Sequence, residues 1–263
     1  MRRTEKIAIV MVAVLCAAAW ATAIDRFEES IDKTVALAAN GTVSLDNING
    51  DVTIEVWDRS EVRIQAVKEA SSQELLDGLK VEIHAGADVV RIDTDYPSNK
   101  RSRDGFDDHE RGERRHMKVE YTLTVPRTAT VSGVDLVNGN LMIVGVEGGV
   151  DAETVNGNIV VRESAGDASL STVNGGIELY VDRLGYGERV DLEAVNGSID
   201  LYLAASAGAD INAETVNGRL SNDLGIDVRK GKYVGASFSG SVGGGGARVD
   251  LETVNGKIAV HSW

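Results

Sequence analysis

The sequence predicts an all-β protein: one elongated β-solenoid with stacked Val-Asn-Gly corners and a single short helix. Three observations carry that expectation. Val-Asn-Gly occurs six times in the second half of the chain, centred on Asn138, Asn156, Asn174, Asn196, Asn217 and Asn255, and Ile48-Asn49-Gly50 adds an upstream copy. Successive asparagines of the main series lie 18, 18, 22, 21 and 38 residues apart, the last step near twice the others, and such a period marks a stacked repeat architecture. Finally, the chain is 43% hydrophobic but only 5% aromatic, with 29 glycines and 2 prolines, which suits thin stacked strands better than a thick core.

The N-terminal part, 24–126, is less regular. From Asp32 to Val67 apolar and polar residues alternate as in strands, with turns at Asn40-Gly41, Asn49-Gly50 and Asp58-Arg59. Ser72 to Leu79 reads as the one helix, because Ser71 and Ser72 can cap it, Glu74 falls in its first turn, and Leu75, Leu76 and Leu79 share a face. Lys80 to His84 and Val89 to Thr94 return to strand. The interval 97–115 interleaves arginines with acids and reads as a charged surface loop. Met117 to Val125 is a strand that stops at Pro126, and regular repeats follow over 127–263. Residues 219–253 span about two periods, with Gly240 to Gly246 in place of a corner. That glycine run has no following Lys-Ser or Lys-Thr, so it is a turn and not a phosphate loop.

Aligned on Asn, the copies share more than the corner. Three residues before it stand Asp46, Asp135, Glu153, Ser171, Glu193, Glu214 and Glu252, and four before it the series is apolar. Three after it every copy is aliphatic: Val52, Leu141, Ile159, Ile177, Ile199, Leu220 and Ile258. The alternation changes phase across the corner formed by Asn49-Gly50, Asn138-Gly139, Asn156-Gly157, Asn174-Gly175, Asn196-Gly197, Asn217-Gly218 and Asn255-Gly256. Two local structures satisfy this. One is a type I′ hairpin turn, which needs positive φ at both central residues. The other is the corner of a coil, where Gly supplies positive φ and the Asn amides stack between coils. Hairpins fix only the turn, so recurrence of the flanks favours the coil corner. The acids Asp135, Glu153, Glu193, Glu214 and Glu252 then form a solvent-facing stripe. As a binding surface it would take cations or a ligand; as plain solvation it keeps the protein soluble and discourages lateral aggregation.

The chain opens Met1-Arg-Arg-Thr-Glu-Lys6, runs apolar from Ile7 to Trp20 and reaches Ala21-Thr22-Ala23, the form of a secretory signal peptide over 1–23. One domain over 24–263 follows, exported to the periplasm, the cell surface or the medium, with no membrane span once the signal is removed. The single cysteine, Cys16, falls inside the signal, so no disulfide is expected. The formal charge is −14, and losing the signal's three cations and one acid takes it to −16. Such a charge disfavours nucleic acid and anionic membrane as partners. An envelope, surface or polysaccharide partner is expected, together with end-to-end self-association, because the last corner is followed only by Lys257 to Trp263 and leaves little to cap a stack.

Catalytic residues, cofactors and metal ligands are not expected. His84, His109, His116 and His261 sit in no ligand or nucleophile motif. The pairs Asp151/Glu153, Asp191/Glu193 and Asp250/Glu252 imitate glycosidase carboxylates, and a β-helical polysaccharide lyase or glycosidase is the alternative they raise. They recur once per repeat, however, whereas a catalytic pair belongs to one site.

The stretch Leu45-Asp-Asn-Ile-Asn-Gly-Asp-Val-Thr-Ile54, Val125-Pro126, the Val-Asn-Gly series and Gly243 to Ile258 together resemble the bacterial "putative adhesin" domain family. The resemblance extends over nearly all of 24–263. It implies a β-solenoid-like fold without known catalytic residues, and an adhesin-like or scaffolding protein of the envelope.

Overall fold

The computed structural model describes residues 26–97, 116–231 and 234–263. The signal segment 1–23 lies outside the described residues, as do His109 and all of the charged loop but Pro97. Alternation of apolar and polar residues sets the strands. In order they are β1 (Phe27–Ala36), β2 (Thr42–Asn49), β3 (Val52–Trp57) and β4 (Glu61–Ala70), then helix α1 (Gln73–Gly78), then β5 (Lys80–Ala85), β6 (Val89–Asp95) and β7 (Met117–Pro126). The repeats supply β8 (Thr130–Asn138), β9 (Leu141–Val144), β10 (Val150–Asn156), β11 (Ile159–Ala165), β12 (Ala168–Asn174), β13 (Ile177–Arg183), β14 (Arg189–Asn196), β15 (Ile199–Leu203) and β16 (Ala209–Asn222). β17 (Arg229–Lys230), β18 (Ala236–Val242) and β19 (Ala247–Ser262) complete the chain. In α1, Ser72 is the N-cap and its Oγ accepts the Leu75 N–H at 3.3 Å, while Leu76 is buried.

Each Asn-Gly corner joins a first arm to a second arm. β2 and β3 form one such rung, as do β8–β9, β10–β11, β12–β13 and β14–β15, whereas β16 and β19 each run through both arms. Neighbouring rungs pair in parallel and in register, so Asn49, Asn138, Asn156, Asn174, Asn196, Asn255 and Asn217 fall opposite one another in that order. Inward residues of the first arm, such as Leu170, Leu192 and Leu251, meet Ile177, Ile199 and Ile258 of the second in one continuous core. Valine, isoleucine and leucine fill it because a thin space between facing strands has no room for large rings. Phe238 and Tyr121 are the aromatic exceptions.

A single elongated β-solenoid is not what forms. The strands belong to one mixed sheet that curls into a nearly closed barrel. Antiparallel strands extend the rungs at both ends: β4 on β7, β1 on β4 and β5 on β6 at one, β18 on the first arm of β16 at the other. The period specifies what each copy pairs with and in which register. It carries no information about strands outside the repeat, and those make the sheet mixed.

Two local expectations also change. Residues 219–253 are not two successive copies. They comprise the second arm of β16, an excursion through β17 and β18, and the start of β19. The C-terminal strand is not terminal in space either: β19 lies between β14–β15 on one side and β16 on the other. The bare C-terminal edge that suggested end-to-end self-association is therefore absent at β19, whose two arms are paired on both sides.

The corner has the stacked Asn amides of the coil reading, but its glycines serve a different purpose from the one expected. Among the corner glycines only Gly50 has positive φ, at 123°. The others are required by distance: a Cβ on Gly157 would lie 1.9 Å from the Gly139 carbonyl oxygen, on Gly175 1.8 Å from Gly157, and on Gly197 1.5 Å from Gly175. Each Asn side chain donates from Nδ2 to Oδ1 of the Asn one rung back, at 2.9 Å for Asn138, Asn156 and Asn174 and 3.1 Å for Asn196. Asn255 continues the run at 2.9 Å to Asn196, and Asn217 at 3.1 Å to Asn255. Backbone bonds run the opposite way, from Gly139 N–H to the Asn156 carbonyl (3.1 Å) and from Gly157 N–H to Asn174 (3.0 Å). Inside the corner, Thr172 and Thr253 donate Oγ1 to the carbonyls of Gly157 and Gly197 at 3.1 and 3.0 Å. These threonines are buried, and the bond satisfies a hydroxyl that would otherwise be costly to bury.

Close glycine packing gives a direct test. Gly175→Ala forces two backbones apart and is expected to lower unfolding free energy in urea by about 3 kcal/mol. Gly86→Ala, whose added Cβ meets nothing nearer than 3.4 Å, is expected to change it by less than about 0.5 kcal/mol. Equal effects at the two positions would contradict the stacking argument.

Candidate binding face

The outer surface of the first arm carries the acids predicted to form a stripe. Register places Asp46, Asp135, Glu153, Ser171, Glu193, Glu252 and Glu214 opposite one another, rung by rung. Asp135, Glu153, Glu193, Glu252 and Glu214 are all exposed, as strand alternation with Ala152, Leu192 and Leu251 inside requires. Adjacent strands stand about 4.8 Å apart, so the carboxylates are near neighbours. No salt bridge engages Glu153, Glu193, Glu214 or Glu252 among the described residues. One position outward the pattern differs: Arg189 pairs with Asp191 and Arg248 with Asp250, two residues along the same strand. Of each expected acid pair on those rungs, then, one member is already neutralised and the other is bare.

Beside the acids runs a row that sequence reasoning passed over. Ile48, Val137, Val155, Val173, Val195, Val254 and Val216 precede the corner Asn and point outward, each between 39% and 50% exposed. The signal was present, since an apolar residue one before Asn shares strand phase with the acid three before it. The motif's valine was read only as part of the turn. Single exposed aliphatics are unremarkable on a protein surface, but seven in one line form a contiguous apolar strip.

At the C-terminal end of the row the chain returns over it. Gly231, Val234 and Gly235 stand across from Val173, Val195, Val216 and Val254, enclosing a groove of about 480 Å³ with Glu193, Glu214 and Glu252 on its border. Val234 is 67% exposed and adds to the strip. The combination of an apolar floor and a one-sided row of charge suits recognition.

No group of three or more His, Cys, Asp or Glu converges on a metal position among the described residues. His84 lies on the surface beside Glu82 and Asp93, and His261 Nδ1 donates to Asp223 Oδ2 at 2.9 Å. The acid pairs recur in register on the rungs of β10, β14 and β19, with Ser169 and Ser171 of β12 between the first two; Asp191 and Asp250 pair with arginines, whereas Asp151 accepts from Ser132 Oγ at 3.3 Å. Near Asp46 the carboxylates do interact. Burial first, and then the neighbouring Asp93, raise its proton affinity above the usual carboxylate range, while Arg91 opposes them.

No family model and no curated protein sequence matches the chain. Solved structures do. A protein described as a putative cell adhesion protein, from Clostridium sporogenes, superposes with a TM-score of 0.55 at 14% identity, covering 91% of this chain and 100% of that one. A putative adhesin from Bacteroides fragilis gives 0.36 at 11% identity, over 89% of this chain and 97% of its own. Another from Parabacteroides merdae gives 0.33 at 13%, over 89% and 96%. The Clostridium structure shows that the fold is shared, and at such identity nothing beyond the fold is shared by that evidence. No helix among the described residues is long and apolar enough to cross a membrane.

Like charges in a column oppose folding, and salt screens them. Glu193→Gln is therefore expected to raise the melting temperature at low ionic strength, with the gain shrinking towards zero in about 1 M salt. A gain that persists unchanged in high salt would contradict the repulsive column.

Proposed function

We propose that the protein is a non-catalytic, exported envelope or surface protein that binds or scaffolds through the outer face of its first arm. One observation carries the reading: a continuous aliphatic row runs beside a row of carboxylates, and a groove closes over their C-terminal end. Catalysis needs one chemically distinct position, whereas this face offers the same groups at successive rungs, an arrangement suited to repeated contacts. The apolar row would supply contact area and the acids would exclude anionic partners and orient others. The basic start, the apolar run from Ile7 to Trp20 and Ala21-Thr22-Ala23 support export, with one domain over 24–263 after cleavage. The shared fold of the Clostridium protein, described as a putative cell adhesion protein, is consistent with an adhesin-like role.

Two measurements test this. N-terminal sequencing of the protein from envelope fractions is expected to begin at Ile24; an intact Met1 in the cytoplasm would refute export. Purified protein is expected to bind envelope material saturably without releasing products, and Val195→Ser with Val254→Ser is expected to weaken binding about tenfold at unchanged stability. Release of sugar fragments, abolished by Glu193→Gln, would establish an enzyme instead.

A further inference from the structure

β1 is the outermost strand on the second-arm side of the sheet. Its ten residues pair antiparallel with β4 along one edge, from Phe27 opposite Ala70 to Ala36 opposite Glu61. The other edge carries no strand among the described residues. An edge of that length presents a row of unpaired N–H and C=O groups, a template for one further strand. In this it differs from β19, whose two arms are paired on both sides.

The side chains of β1 leave its core side partly open. Register sets Phe27, Glu29, Ile31, Lys33 and Val35 on the same face as Ala70, Lys68, Ala66, Ile64 and Val62 of β4. Their β4 counterparts are buried. Phe27, Ile31 and Val35 are only half-buried, and Glu29 and Lys33 are exposed. Glu29 accepts from Lys68 Nζ at 2.6 Å, whereas Lys33 has no ion pair among the described residues. Charges on the core side of an edge strand obstruct pairing with an apolar strand. They do not obstruct a strand of complementary pattern, and β1 is complementary to itself.

We propose that β1 is a self-docking edge, through which two copies of the chain join antiparallel about a two-fold axis at Ile31. In that register each core-side residue meets a fitting one of the second copy: Ile31 meets Ile31, Phe27 meets Val35, and Glu29 meets Lys33. On the outer side Glu28 meets Thr34 and Ser30 meets Asp32, so no like charges stand opposite one another. A shift of two residues sets Glu28 against Asp32 in one direction and Asp32 against its own counterpart in the other. A shift of one turns the core side of one copy to the outer side of its partner. The contact also gives the half-buried apolar rim the cover that it lacks. It lies outside the rows of acids and valines on the first arm, so it does not rest on the function proposed above.

Sedimentation velocity of the purified protein, at about 1–500 µM and about 0.15 M salt, tests the edge. A monomer–dimer equilibrium with a Kd of about 10–100 µM is expected, as suits a contact made by one strand. Lys33→Glu sets a carboxylate opposite Glu29 in both halves of the ladder and is expected to raise the Kd at least about tenfold. Ser30→Lys, opposite Asp32, is expected to lower it about threefold, and Ser30→Asp to raise it by a similar factor. Glu55→Lys, on β3 and three strands from the edge, changes the net charge more than either Ser30 variant and is expected to leave the Kd within about twofold. Circular dichroism melting establishes that each variant folds. Ser30 is exposed, so its two variants carry the test even where Lys33→Glu does not fold. A protein that stays monomeric at every concentration would overturn the proposal. A dimer indifferent to Lys33→Glu and to both Ser30 variants would overturn it equally, because its contact would lie elsewhere.

Discussion

Everything else in this structure depends on how closely one Asn-Gly corner can sit on the next. Successive corner glycines approach so tightly that a methyl group would fall within about 2 Å of a neighbouring carbonyl, a distance that essentially no real contact shows. That approach brings the Asn side chains into donor–acceptor contact and lets each Gly N–H reach the carbonyl of the following rung. Two chains of hydrogen bonds thus run along the corner in opposite directions. A slip of one residue would break both and turn the core side chains outward. The corner is therefore a register lock, and the in-register faces outside it are its consequence.

Those faces translate the repeat into surface pattern. Residues at one sequence position become a line in space, so one acid or one valine per copy becomes a row. Where the chain varies a position, the line changes character locally. Six residues after Asn it reads valine, arginine, tyrosine, tyrosine, histidine over β9, β11, β13, β15 and β19, which places an aromatic column at one part of an otherwise uniform surface.

Much of this was legible in the residues. Period-two patterning located the strands, and Ser72, Glu74 and Leu76 located the helix to within a residue at each end. The acid row followed from its phase relative to Ala152, Leu192 and Leu251. The valine row was equally available but was absorbed into the turn motif. Other features were not legible, for physical reasons. The corner glycines looked like positive-φ residues because that is what glycine most often supplies, whereas here it supplies absence of a side chain. The shape of the sheet was misjudged because the strands that make it mixed, β1, β4, β5 and β18, lie outside the repeat. The 38-residue step looked like a lost copy. It marks the point where the chain leaves β16, passes through β18 and returns to insert β19 between β14–β15 and β16, and nothing local in the sequence distinguishes insertion from simple continuation.

Residue-resolved hydrogen exchange of the backbone amides is the most direct test of the register lock. Gly139, Gly157, Gly175 and Gly197 lie at a solvent-facing corner beside exposed asparagines, yet each donates to the next rung at 3.0 to 3.2 Å. The account predicts that these amides exchange only with global unfolding, as slowly as core amides such as Leu170 and Leu192. Exchange at rates typical of exposed turns, with the core still protected, would show that the corners are held by the arms, and would contradict the account.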